Sequence, residues 1–148
     1  MTNPVELIGT VASIATAVGV GLAWWQIREV REQATTSFED SLGKEYREIA
    51  QRLPIAALLG QPLSDSDLGA SFPDLYRYVH ISSRQVRLRQ RGRIRADTWR
   101  TWRDGMKGNL EKPAFRVAWE EIKSKAPHEF GALRRLEAEK FAADPREW

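Results

Sequence analysis

The sequence predicts an all-α protein with one N-terminal transmembrane helix that runs on into a long juxtamembrane helix, followed by a small cytosolic helical bundle. Three observations predict it. Leu7 to Ile27 is a stretch of 21 uncharged residues close to the N-terminus. Apolar residues then recur at spacings of three and four along most of the chain, the period of helices with one buried face. No convincing period-two alternation of the strand type competes with them.

At about 1.5 Å per residue, a helix the length of the uncharged stretch crosses a hydrocarbon core about 30 Å thick. A cleaved secretory signal would carry basic side chains ahead of its apolar core, and Met1 to Glu6 contains none. At the far end, Trp24 and Trp25 stand where an interfacial aromatic belt belongs, and Arg28 and Arg31 follow at once. These four residues are the expected membrane interface. The positive charge after residue 28 then places the C-terminal side in the cytoplasm and the N-terminus outside, in a bacterial inner membrane with one pass. The competing reading, a helix buried in a soluble core, must fit 21 uncharged residues into a small domain.

Around this helix, Leu7, Ile8, Val11, Ile14, Val18, Leu22 and Trp25 gather on one side. Gly9, Ser13, Ala17 and Gly21, four residues apart, gather on the other. Small residues in that register let two helix backbones approach closely in lipid, so this face predicts a homo-oligomer. The alternative is that Gly and Ala are merely common in weakly hydrophobic spans.

The juxtamembrane helix, residues 28–53, carries the stripe Ile27, Val30, Ala34, Phe38, Leu42, Tyr46, Ile49 and Leu53, and Pro54 stops it. Near-heptad spacing suits either a coiled-coil seam between protomers or packing on the chain's own domain, and the second is preferred. Residues 54–71, rich in Gly, Pro, Ser and Asp, read as a hinge. The helical domain spans 72–141. Ser71 is its expected first cap, with Pro73 and Asp74 in the first turn and Phe72, Leu75, Tyr76, Val79 and Val86 facing inward as far as Gly92. A second helix opens near Asp97 and buries Trp99, Trp102, Met106 and Leu110. A third opens at Pro113 and buries Phe115, Trp119 and Ile122. A fourth follows Pro127 and buries Phe130, Leu133 and Leu136. Residues 142–148 form a tail without assigned structure. Arginine at every second position from Arg87 to Arg95 reads as a helix end and turn around Gly92 rather than a hairpin.

The block Trp99, Trp102, Pro113, Phe115, Trp119 and Phe130 resembles that of a loose group of uncharacterised bacterial single-pass membrane-anchored helical proteins. These share a signal anchor, a long Arg/Glu helix and a Trp-x-x-Trp, Pro-x-Phe-x-x-x-Trp, Phe series. The resemblance covers nearly the whole chain but consists of core positions, so it implies a fold and names no site. Some small membrane-anchored helical proteins of similar layout are accessories of bacterial antiphage and CRISPR systems, including ones that form membrane pores. That parallel is one of architecture alone.

Composition narrows the chemistry. Without cysteine among 148 residues there is no thiol nucleophile, disulfide framework or zinc knuckle. With 42% hydrophobic and 29% charged residues, the chain has the makings of a folded core. His80 and His128, 48 positions apart, do not form a metal pair. Compared with helical RNases that use Arg, four to six residues, then His, only two residues separate Arg77 from His80, and no arginine precedes His128 at the required distance. Glu120, Glu121, Glu137 and Glu139 lie among basic residues as solvated helix faces. No phosphate-binding glycine loop or nucleophile elbow is present. The expectation is a non-enzymatic protein with no cofactor, no metal and no evident small-molecule substrate.

Charge carries the remaining information. The net +3 conceals a local +7, because the segment Arg84 to Lys107 has nine basic residues against Asp97 and Asp104. Arg84, Arg87, Arg91, Arg93, Arg95, Arg100, Arg103 and Lys107 are the expected anion-binding set, for RNA or for anionic lipid headgroups. Two functions follow from the sequence. One is a self-associating membrane scaffold or pore-type effector or accessory in antiphage defence, and the other is a membrane-tethered module that binds RNA or anionic lipid.

Overall fold

The computed structural model describes the backbone of residues 4–148 and the side chains from Gly19 onward. Every regular element among the described residues is helical. The chain divides into two units, residues 1–38 and 39–148, and the first helix, α1 (Pro4–Ala50), contributes to both.

In the first unit the apolar side chains stand in the open. Val20, Leu22, Trp24, Trp25 and Ile27 are 66, 57, 63, 59 and 53% exposed. Beyond them the helix is held by local pairs of the i,i+4 type, Arg28 to Glu32 at 3.2 Å and Gln33 to Glu29 at 3.4 Å. Among the described residues no helix is long and apolar enough to cross a membrane. Residues 7–18 of the expected span, including Gly9, Ser13 and Ala17, lie outside the residues whose side chains are described.

The second unit is a helical bundle. It contains the end of α1, a single turn α2 (Ile55–Leu58), α3 (Asp65–Gln90), α4 (Ala96–Leu110), α5 (Pro113–Lys125), α6 (Gly131–Ala138) and a 3-10 turn at Pro145–Glu147. α3 is the central element, packed on α5, α6 and the 3-10 turn, and α4 packs on α5. Leu75, Ile81, Val86, Trp99, Trp119, Leu133 and Leu136 are fully buried between them. The periodic positions of the three helices that follow Gly92 are therefore core positions, except that Trp102 is only half-buried. The juxtamembrane stripe divides in two. Leu42, Ile49 and Leu53 are buried within the second unit, whereas Ile27 and Val30 are exposed in the first.

Two assigned boundaries are corrected. Residues 54–71 are not a hinge, because they contain α2 and the first seven residues of α3, which opens at Asp65 rather than at Ser71. The reason is local. The Ser64 hydroxyl accepts from the Asp67 backbone N–H at 3.2 Å and donates to its carboxylate at 2.7 Å, and Asp65 and Asp67 sit at the positive end of the helix dipole. Ser71 is instead buried within the helix, and Pro73 lies inside it, where the packed neighbours Leu75, Tyr78 and Val79 hold the backbone helical despite the missing N–H. The tail, residues 142–148, to which the sequence assigns no element, contains a 3-10 turn. Pro145 is buried, Asp144 caps the 3-10 turn, and the Trp148 indole N–H donates to Glu139 at 3.0 Å.

Candidate functional site

The basic segment winds from the end of α3 across a turn into α4, and the fold has already used half of it. Arg84 pairs with Glu45 at 3.3 Å, Arg103 with Asp104 at 2.9 Å and Arg95 with Glu39 at 2.8 Å. Arg87 donates to the Ser83 hydroxyl at 3.4 Å. Arg89, inside the same segment, is bound to Asp144. The eight expected anion-binding cations are therefore not one open patch. Among the described residues Arg91, Arg93, Arg100 and Lys107 have no ion-pair partner and are exposed.

Glu39 explains why Arg95 is unavailable. α4 has no side-chain cap of its own, and the Glu39 carboxylate on α1 supplies one, accepting from the Arg95 backbone N–H at 2.8 Å and from the Thr98 hydroxyl at 2.8 Å. Burial pushes this carboxyl up, but the hydrogen bonds from Arg95 and Thr98 outweigh it and hold Glu39 below the usual carboxylate range.

Of the expected interface residues, Trp24 and Trp25 are exposed, and the Arg28 guanidinium lies 5.8 Å from the Trp24 ring centre. Gly21 has open space where a side chain would be, so nothing described in the chain covers that face. His80 and His128 are both exposed, and no group of three or more potential metal ligands occurs among the described residues.

The feature that sequence reasoning missed is a cavity of about 350 Å³ in the second unit. Three helices line it. The end of α1 contributes Gly43, Tyr46 and Arg47, the middle of α3 contributes Tyr78, Ser82 and Gln85, and α4 contributes Trp102, Gly105 and Met106. The hydroxyls of Tyr78 and Ser82 are buried and have no hydrogen-bond partner. Asn109 and Ser82 flank the Tyr78 hydroxyl without meeting it in bonding geometry, and burial pushes that phenol far above its ordinary value. Asn109 is itself engaged, donating to the Tyr46 hydroxyl at 3.1 Å and accepting from Lys112 at 2.8 Å. The signal was present in the sequence. Tyr78, Ser82 and Gln85 fall four and three apart on the inward face of α3, a polar run where apolar residues belong.

The chain matches no family model, no curated protein and no solved structure.

Proposed function

We propose that this chain is a non-enzymatic, membrane-anchored protein that self-associates, its N-terminal helix in the bilayer and its helical bundle on the cytoplasmic side as a scaffold or pore-type effector. One observation carries this reading. Five large apolar side chains of α1 within eight residues, Val20, Leu22, Trp24, Trp25 and Ile27, are each more than half exposed, and Arg28 and Arg31 follow. A soluble helix rarely leaves such a continuous apolar surface uncovered, whereas lipid covers it on all sides and the two tryptophans settle at the headgroups. Self-association is supported by the small-residue register from Gly9 to Gly21 in the same helix.

The test is fractionation of the full-length chain from lysed cells without detergent, followed by mass measurement in detergent. Sedimentation with the membranes and a defined oligomer that survives high salt are expected. A chain that stays in the supernatant overturns the anchor. Gly9→Ile with Gly21→Ile, if it leaves the oligomer intact, overturns the helix-pairing part alone.

A second reading has its own observation. The four unpaired cations Arg91, Arg93, Arg100 and Lys107 lie on and beside one helix, a footprint for anionic headgroups beside the anchoring membrane or for RNA.

A further inference from the structure

We infer that the cavity between α1, α3 and α4 is a ligand site for a small planar aromatic anion. This inference is independent of how the chain meets a membrane, because every lining residue belongs to the second unit. A volume of about 350 Å³ falls within the range of sites that hold small molecules. The walls are of the kind that grips a flat ring. Tyr46 and Trp102 offer aromatic surface and Met106 a polarizable thioether. Two glycines, Gly43 and Gly105, keep the space open from opposite helices. A β-carbon on Gly105 would meet nothing within 4 Å, so the space beside it is open to a larger side chain.

Polar groups stand on the wall and at the rim. Tyr78 and Ser82 belong to the wall at 2 and 1% exposure, but their unpartnered hydroxyls are closed off from the open space and take no part in it. Gln85 on the same wall supplies both a donor and an acceptor. Arg47 at the rim is exposed and has no ion pair among the described residues, so it is the group available to an anionic arm on the ring. An apolar ligand would leave Gln85 and Arg47 unused, and a sugar-like ligand would waste the aromatic walls. A flat ring with a polar edge and one negative substituent matches all of them.

Two sources share this chemistry, a purine nucleotide and an aromatic carboxylic acid. The experiment titrates the full-length chain by calorimetry with adenosine monophosphate and with indole-3-acetate, each beside its uncharged counterpart, adenosine and indole. Saturable one-to-one binding of at least one charged probe is expected, and whichever binds identifies the source. Its uncharged counterpart and the Arg47→Gln variant should each bind about fivefold more weakly. Gly105→Leu should abolish binding by filling the space, while retaining helical circular dichroism. Failure of both charged probes to saturate at millimolar concentration overturns the inference, as does binding that a folded Gly105→Leu leaves unchanged. Should Gly105→Leu fail to fold, the surface variant Arg47→Gln decides, and equal affinity in it and the parent overturns the assignment.

Discussion

The Glu39 carboxylate, on α1 and only 5% exposed, receives both the backbone N–H and the guanidinium of Arg95, 56 positions later, and so supplies the cap that α4 lacks. A side chain borrowed from one helix thus starts another, and the charge of the half-exposed arginine it engages is matched from within.

Acid should expose that dependence. Glu39 and Asp144 are both held below the ordinary carboxylate range. In Asp144 the Arg89 guanidinium is the main cause, outweighing burial. A carboxyl with a lowered folded pKa contributes stability above its unfolded value, about 4, and that contribution is lost as pH falls through the folded value. Thermal denaturation followed by circular dichroism should therefore show the melting temperature of the bundle dropping steeply below about pH 4. Glu39→Gln should be less stable at neutral pH and show a shallower acid limb. An unchanged limb would exclude Glu39 as a source.

The tail is a second structural staple. Arg89 is nearly buried, and Asp144 meets its guanidinium through both carboxylate oxygens. Asp144→Ala leaves a largely desolvated cation unmatched and should cost about 2 kcal/mol in urea unfolding. Arg89→Leu combined with Asp144→Leu should recover part of that loss, because replacing both members of a pair removes the desolvation penalty as well.

Two glycines should respond in opposite directions. Gly92 has φ +70° and terminates α3, and a β-carbon there would run into the Arg146 guanidinium. Gly92→Ala should lose about 1–2 kcal/mol from the left-handed conformation alone. Gly108 is inside α4 with nothing within 4 Å of an added β-carbon, so Gly108→Ala should gain about 0.5–1 kcal/mol. Chemical denaturation of the two variants side by side checks both signs.

Charge reversal should separate spent from available arginines. Arg91→Glu, Arg93→Glu and Arg100→Glu together should reduce co-sedimentation of the second unit alone, residues 39–148, with phosphatidylserine vesicles, with each residue removed near the surface worth about 1 kcal/mol at low salt. Arg95→Gln should leave co-sedimentation unchanged and lower the melting temperature instead, since its partner is internal. Equal effects of the two variants on vesicle binding would refute the division.

Much of the bundle was legible from periodicity. Trp99, Phe115, Trp119, Ile122, Leu133 and Leu136 each repeat on a helical face and are each buried, and Phe130 is buried at the left-handed position just before α6. Pro113 opens α5 and Gly92 closes α3, because a fixed φ and a positive φ are properties of single residues that any tertiary setting must respect. The start of α3 was misread because Ser71, Pro73 and Asp74 form a plausible helix opening, while the true opening at Ser64 sits in a polar run that also reads as a loop.

The helical class, the faces that enter the core and the position of the uncharged N-terminal stretch can be read from the chain, because each depends on side-chain type and spacing along one helix. Which arginines are neutralised, which residue caps α4 and where a cavity remains are set by the fold. Those depend on partners brought from 40 to 60 positions away, and nothing in local spacing records which carboxylate will face which guanidinium or which glycines will stand opposite one another.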